Sequence, residues 1–354
     1  MISLLKFNAC GIDISDKSIK YASLAKKGCQ LVLDKYGEHS LPDGVINGGV
    51  IFGQDVLIGV LKKIKDEVNL DYVAVSLPEE KSYIVEMLMP KNISWQEYRE
   101  AVELHLEERV PIEISKASFD YEEGGISNLK IAGFNLITSV VETELANQYY
   151  RSLTDAGLLP LVFELESQAL ARAIIKRGSR DISMIVDIGR EQSNFSITVG
   201  EVVHLASSVN IGGNTLAKAI QDDLQVSFEE ARKLKEEIGL LRKDKGQNPF
   251  GSIVRVATVL RDEIFQRLSF WNNSSLGVAK RDPITRVLLC GGNASIPGLA
   301  EYLTSDIGLF VDSANPWINI LSFDDQIPTM TKRESLKYCT ALGLALRVSG
   351  NKND

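Results

Sequence analysis

The chain has 354 residues, of which 44% are hydrophobic and 24% charged, enough apolar material for more than one core and, at this length, for two domains. Its formal net charge of -8 repels nucleic acid and anionic lipid heads, and the densest basic clusters (Lys62, Lys63 and Lys65; Lys233 and Lys235) sit among acidic residues on helical patterns, as solvated faces do. Cys10, Cys29, Cys290 and Cys339 form no CxxC pair, and His39, His105 and His204 lack neighbours at ligand spacing. A disulfide scaffold and a transition-metal site are therefore not expected, and a reducing, cytosolic compartment is.

In chain order, Met1–Phe7 reads as a short arm. Ala9–Ile14, Ser18–Leu24 and Gln30–Leu33 are closely spaced apolar runs with polar turns between them, which predicts a β-meander. Apolar positions at helical spacing over 55–68 predict a helix, and Tyr72–Leu77 a buried strand stopped by Pro78. Residues 79–155 change texture. Strand-like runs at 83–89, 117–121 and 131–141 surround a charged helix at 94–109 that opens on a capping box, Ser94 and Glu97, and another helix covers 142–156. This stretch reads as a small inserted subdomain.

The second half begins with a strand at 159–166 and a helix at 167–177. Strands at 183–188, 193–199 and 202–209 then repeat the opening meander, so that residues 10–33 are weakly echoed by 184–209. Residues 212–280 read as mostly helical, Arg286–Leu289 as a strand, and Pro297 as the start of a helix. A final amphipathic helix at 333–348 precedes a polar tail. No apolar run approaches the roughly 18 residues that span a bilayer.

The chemistry concentrates at four places. Asp13 and Asp187 each end a strand that runs into a tight turn, Ser15–Lys17 in one case and Gly189–Gln192 in the other. Such turns expose backbone N–H groups that can hold an anion, and an aspartate beside an anion needs a metal ion or water between them. Two similar halves would face these turns across a cleft. Paired glycines at Gly212–Gly213 and Gly291–Gly292, each after a strand and before a helix, allow close approach of a ligand. Neither GxxxxGK[ST] nor GxGxxG is present, which excludes a P-loop and argues against a dinucleotide fold.

The order of these features resembles the actin-like ATPase superfamily, and within it the PilM family of type IV pilus assembly proteins and the related FtsA family. Gly11–Lys20 is similar to the phosphate-one motif, Val186–Ser193 to phosphate-two and Leu289–Leu299 to the adenosine motif. Gly212–Thr215, Ser227–Lys235 and Asn315-Pro316-Trp317 also fit. The resemblance implies an α/β fold of the duplicated, ribonuclease H-like, actin type with an inserted small subdomain. Its parts would be 1–78 with 156–180 (1A), 79–155 (1C), 181–220 with 281–354 (2A) and 221–280 (2B). It implies ATP or ADP with Mg²⁺ as cofactors. Asp13 and Asp187 would hold Mg²⁺ through water, and Lys20 would meet the β-phosphate. The backbone around Ser15, Asp16, Lys17 and Ser18, and around Gly189, Arg190, Gln192 and Ser193, would cradle phosphates. Glu166 would orient the attacking water. Gly212, Gly213, Gly291, Gly292, Asn293 and Lys235 would line the nucleoside, although Lys235 on an amphipathic helix reads equally as solvated.

This chain departs from the family pattern at Ser15, where glycine is usual, and at Asp16, Arg190 and Gln192. Asp16 would repel a phosphate unless it turns away or meets the metal, and Arg190 could offset it. The residues favour holding a nucleotide over hydrolysing it. The resemblance further implies a cytoplasmic scaffold that reaches the inner membrane only through partners, docking the cytoplasmic N-terminal peptide of a PilN-like membrane protein beside the inserted subdomain. A homo-oligomer is left open and no nucleic acid is expected. The alternatives are an FtsA-like filament protein, against which the sequence close at Arg347–Asp354 lacks an amphipathic anchor, a small-molecule kinase of the superfamily, and a relative that has lost its nucleotide.

Overall fold

A computed structural model describes residues 9–28, 30–90, 95–124, 133–241, 248–276, 279–322 and 327–349. The expected N-terminal arm, Cys29, the Ser94 of the capping box, the start of the 131–141 run and the polar tail beyond residue 349 lie outside them.

The chain builds the same sheet twice. In the first half, β1 (Ala9–Ile14), β2 (Ser18–Lys27) and β3 (Gln30–Ser40) form an antiparallel meander. A small hairpin of β4 (Ile46–Asn47) and β5 (Val50–Ile51) leads into α1 (Gln54–Val68), and β6 (Tyr72–Leu77) then lies parallel to β1. The helix forms where Leu57, Leu61, Ile64 and Val68 fall on one stripe, and all four are buried. After a turn the chain leaves this sheet for a three-stranded unit, β7 (Ser82–Met89), β8 (Ala117–Glu123) and β9 (Phe134–Glu142), with α2 (Trp95–Arg109) against it. This unit has its own core of Met87, Met89, Val102, Leu106 and Leu136. α3 (Thr143–Asp155) and β10 (Leu159–Leu165) return to the first sheet, whose order is β3-β2-β1-β6-β10.

α4 (Glu166–Ile174) follows β10 out of the first half and leads into the second. There β11 (Ile182–Ile188), β12 (Ser193–Val199) and β13 (Val202–Val209) repeat the meander. α5 (Gly213–Leu224), α6 (Phe228–Glu237) and α7 (Phe250–Asn273) follow, then a hairpin of β14 (Ser275–Leu276) and β15 (Ala279–Lys280). β16 (Arg286–Cys290), α8 (Leu299–Ile307) and β17 (Phe310–Ser313) complete a sheet of order β13-β12-β11-β16-β17. Strand for strand this is the first sheet again: three antiparallel strands, then two parallel ones.

The chain closes with α9 (Lys332–Ser335), one 3₁₀ turn and α10 (Cys339–Val348). Several expectations shift here. The final helix is broken at Leu336–Tyr338, the helix after β10 stops at Ile174, and α8 starts at Leu299 behind Gly298, which takes the positive φ that caps it. The third strand runs on to Ser40, and β17 had no clear signal because only Phe310 and Val311 are apolar.

The two halves exchange helices. α10, from the second half, packs on β1, β2 and β6 of the first, while α4 packs on β12 and β13 of the second half as well as on β6 and β10 of its own. α10 crosses α4 so closely that a Cβ at Gly343 would sit 1.8 Å from the Ala169 carbonyl oxygen, and it lies so close to β1 that one at Gly11 would sit 2.2 Å from that of Ala341. Only glycine fits either place.

Candidate functional site

The ends of β1 and β11 open on one cavity between the halves. It is walled by Asp13, the Ser15–Ser18 turn, Lys20, Glu166, Asp187, the Gly189–Gln192 turn, Lys235 and the Gly291–Asn293 turn, among others.

The first turn is closed by Ser15, whose N–H (3.0 Å) and hydroxyl (2.9 Å) both donate to the Ser18 carbonyl. Antiparallel register sets Asp13 opposite Lys20, whose amine lies 3.6 Å from its carboxylate, and the Ser76 hydroxyl at the end of β6 donates to Asp13 at 3.2 Å. The second turn is closed by Gly189 N–H on the Gln192 carbonyl, 2.9 Å. Here register sets Asp187 opposite Asn194, so the place of the first half's lysine is taken by an amide. Asn194 instead donates across the cleft to the Glu166 carboxylate, 3.0 Å away.

Carboxylates crowd this space. Burial, and then the neighbouring Asp13, push Asp187 up to about 6 against the pull of Lys20. Burial, followed by Asp13, Glu80, Glu79 and Asp187, holds Glu166 well above the usual carboxylate range. Glu79 is fully enclosed; burial raises it to about 7, against hydrogen bonds from the Ser167 N–H (2.9 Å) and hydroxyl (3.0 Å) at the start of α4. Such an array has stored repulsion that a divalent cation would relieve. Among the described residues no three acidic, histidine or cysteine side chains form a ready-made metal cluster. Asp13 and Asp187, on opposite turns, fit a cation that keeps its own water shell, which is the habit of Mg²⁺.

Asp16 turns away. Its carboxylate accepts the N–H groups of Gly48 (2.7 Å) and Gly49 (3.1 Å), whose positive φ values shape the β4–β5 hairpin, so its charge is spent on backbone donors. Lys17 is held by Asp43 at 2.7 Å, with Glu191 of the opposite turn at 3.8 Å. Arg190 stands on the cavity wall, where its charge bears on Lys235.

On the nucleoside side of the sequence motifs, Lys235 is buried rather than solvated. Its amine donates to Asn293 Oδ1 (2.7 Å) and to the Gly213 carbonyl (3.2 Å), and burial lowers it to about 8. Asn293 Nδ2 donates in turn to the Gly189 carbonyl (2.7 Å), which ties this loop to the second turn. Gly291 has φ +87°, and a Cβ there would strike the Asp187 carboxylate. Three residues named from the sequence lie behind the wall instead of on it. Ser193 is buried and donates to the Ile211 carbonyl, 2.6 Å. Gly212 and Gly213 let α5 start hard against the Arg190 carbonyl and the Asn293 amide, at 2.6 and 2.3 Å from where a Cβ would be. They shape the wall without facing the cavity.

Sequence reasoning missed Glu79, Glu80 and Asn194. Glu79 and Glu80 follow directly on β6, the parallel neighbour of β1, and the carboxyl ends of such strands are where ligands gather. Asn194 is the register equivalent of Lys20 and was open to discovery by aligning the two meanders.

A duplicated sheet of this order, with two aspartate turns facing one cavity and a three-stranded unit inserted in the first half, defines an actin-like ATPase fold. EutJ from Carboxydothermus hydrogenoformans (15% identity, TM-score 0.54, 95% of this chain on 88% of that one) and MreB5 of Spiroplasma citri bound to ADP (12%, 0.52, 96% on 95%) share it. A solved PilM–PilN type IV pilus biogenesis complex superposes with a TM-score of 0.78 at 20% identity, covering 98% of this chain and all of the other. Residues 11–349 match the model of the type IV pilus assembly protein PilM, and the chain belongs to that family.

Proposed function

We propose that the chain is a nucleotide-loaded scaffold of a type IV pilus or related secretion machine. It takes ATP or ADP with Mg²⁺ in the cleft and docks the cytoplasmic N-terminal peptide of a PilN-like protein, which keeps it at the inner membrane. Family membership and the likeness to the PilM–PilN complex support the scaffold and its partner. Among the described residues no helix is long and apolar enough to cross a membrane, which fits attachment through a partner.

The observation that carries nucleotide binding is the convergence of Asp13, Lys20, Asp187 and two N–H-rich turns on one cavity, with a glycine loop at its side. Bound Mg–ATP supplies the phosphoryl group that water would attack. Asp13 and Asp187 would hold the cation through water, Lys20 would neutralise phosphate charge, and the two turns would offer N–H groups to it. Glu166, aimed by Asn194, orients water at the reacting end. Burial and the acidic neighbours hold the Glu166 carboxyl well above the usual range, so it is poorly ionised as a base, and this favours slow turnover. Gly291, Gly292, Asn293 and Lys235 hold the nucleoside.

Thermal unfolding of the purified chain tests this. Millimolar Mg–ATP raises the melting temperature of the wild type and not that of Asp187→Ala; no shift in the wild type sinks nucleotide binding. A fluorescent peptide from the cytoplasmic N-terminus of a PilN-like membrane protein tests the partner by anisotropy, and no binding overturns that contact.

A further inference from the structure

A second cavity lies away from the cleft, on the seam where the inserted unit meets the second half. Its volume of about 360 Å³ is within the range of ligand pockets. Glu86 and Met87 of β7 line one side, with Arg109 at the end of α2 beside them. Leu205 of β13, with Phe270 and Trp271 of α7, makes the opposite wall apolar.

Arg281 also lines this cavity, and its bonding is incomplete. The side chain is only 9% exposed, and its guanidinium lies over the Trp271 ring, 4.3 Å from the centre. Nη2 is paired with Glu86. Nε and Nη1 are buried and have no hydrogen-bond partner. Those two nitrogens carry three N–H donors, and charged donors left unmet in a buried place are strongly unfavourable. Glu86 has little left to offer them, since Asn135 Nδ2 (2.6 Å) and His204 Nδ1 (2.9 Å) also bond to it.

Charge points the same way. Among the described residues that line the cavity, Glu86 is the only acid, set against Arg281 and Arg109. Arg109 donates to the Glu86 main-chain carbonyl at 2.7 Å and, among the described residues, takes part in no ion pair. Water would meet the open donors and leave the wall positive. A phosphate dianion would press a second charge against Glu86 and the apolar side. A carboxylate matches the excess and suits a guanidinium. The cavity opens past Phe270, which is 61% exposed, onto a groove along α7 that takes in Phe265.

We propose that this cavity is a ligand site separate from the cleft, taking a single carboxylate on an apolar body. The carboxylate meets Arg281 and Arg109, and the apolar part lies against Phe270. Two sources present this chemistry: a free carboxylic acid with an aryl or alkyl group, and the C-terminus of an apolar peptide laid along α7. Nothing in the site depends on a nucleotide in the cleft.

Nuclear magnetic resonance of the full chain, isotope-labelled at its five methionine methyls, tests the site. Met87 lines the cavity, while Met184 and Met330 lie in other cores. Phenylacetate should shift the Met87 signal saturably and leave those of Met184 and Met330 in place. Phenylacetamide should bind roughly tenfold more weakly or worse, since it cannot pair with a guanidinium as an anion does, and phosphate should not compete. Arg109→Gln, at the exposed end of α2, should weaken the acid several-fold. Glu86→Gln combined with Arg281→Gln removes both members of the buried pair and should abolish the response. A short apolar peptide ending in phenylalanine separates the sources. Tighter binding than phenylacetate, lost on amidation of its C-terminus, assigns the site to a chain end, and no gain over phenylacetate assigns it to a free acid. Equal shifts from acid and amide overturn the proposal. A Met87 signal unmoved by every carboxylate leaves the guanidinium to water and overturns it too. Neither result touches the nucleotide reading, and the wild-type titrations stand even where the double variant folds poorly.

Discussion

Asp187→Asn should stabilise the empty protein while removing its response to nucleotide. The wild-type carboxyl rises from the ordinary 3.8 to about 6 because burial and Asp13 oppose its charge more than Lys20 favours it. At about 1.4 kcal/mol per tenfold change in proton affinity, the ionised form costs up to about 3 kcal/mol of stability. That figure is a ceiling, since part of the residue's surface faces the open cavity. The folded state binds the proton more tightly than the unfolded chain does, so stability falls as pH rises from 3.8 to 6 and the full cost is present above pH 6. Asparagine has the same shape and no charge. At pH 8 the variant should melt about 5 °C above the wild type, at roughly 2–4 °C per kcal/mol for domains of 150–250 residues. The gap should narrow by nearly half at pH 5. Mg–ATP should then raise the melting temperature of the wild type and not of the variant. A variant less stable than the wild type at pH 8, or a gap unmoved by pH, would refute the electrostatic account even if nucleotide response were lost.

Asp16→Ala removes the acceptor for two backbone N–H groups, so it should cost about 1–3 kcal/mol in urea unfolding and should not tighten nucleotide, as it would if Asp16 faced phosphate. Gly343→Val forces a side chain into the Ala169 carbonyl and should cost about 3 kcal/mol or abolish soluble expression, whereas the same change at Gly59, where a Cβ meets nothing within 4 Å, should be tolerated. Glu166→Gln should lower any steady-state phosphate release at least tenfold, measured with a coupled assay under saturating Mg–ATP.

The strands of both meanders were within reach of the sequence because each is a short apolar run bounded by turn residues, and because the two meanders repeat; the edge strand β17, with only Phe310 and Val311 apolar, was not. The aspartate turns were legible for the same reason. What stayed hidden depended on register or on distant chain segments. Nothing local says that Asp16 finds the hairpin glycines 32 residues away, or that Lys235 on a charged helix is drawn inside by Asn293. Gly212 and Gly213 read as ligand contacts because glycine marks any close approach. The partner in that approach proved to be the protein's own Asn293 and Arg190 backbone. Glu79 and Glu80 belong to no motif, and only the fold shows Glu79 capping α4 and Glu80 reaching Gln192.

The exchange of α4 and α10 between the halves has a consequence for how the chain is made. The sheet built first is covered by a helix synthesised more than 300 residues later, because α10 seals β1, β2 and β6, with Ala22 and Leu31 sharing a core with Leu342 and Leu346. At 5–20 residues per second, roughly 15 seconds to a minute passes between the emergence of β1 and that of α10. Throughout that interval the first half has an apolar face and no lid, so it is a natural client for a ribosome-associated chaperone, and a premature stop before residue 339 would leave a product that cannot mature.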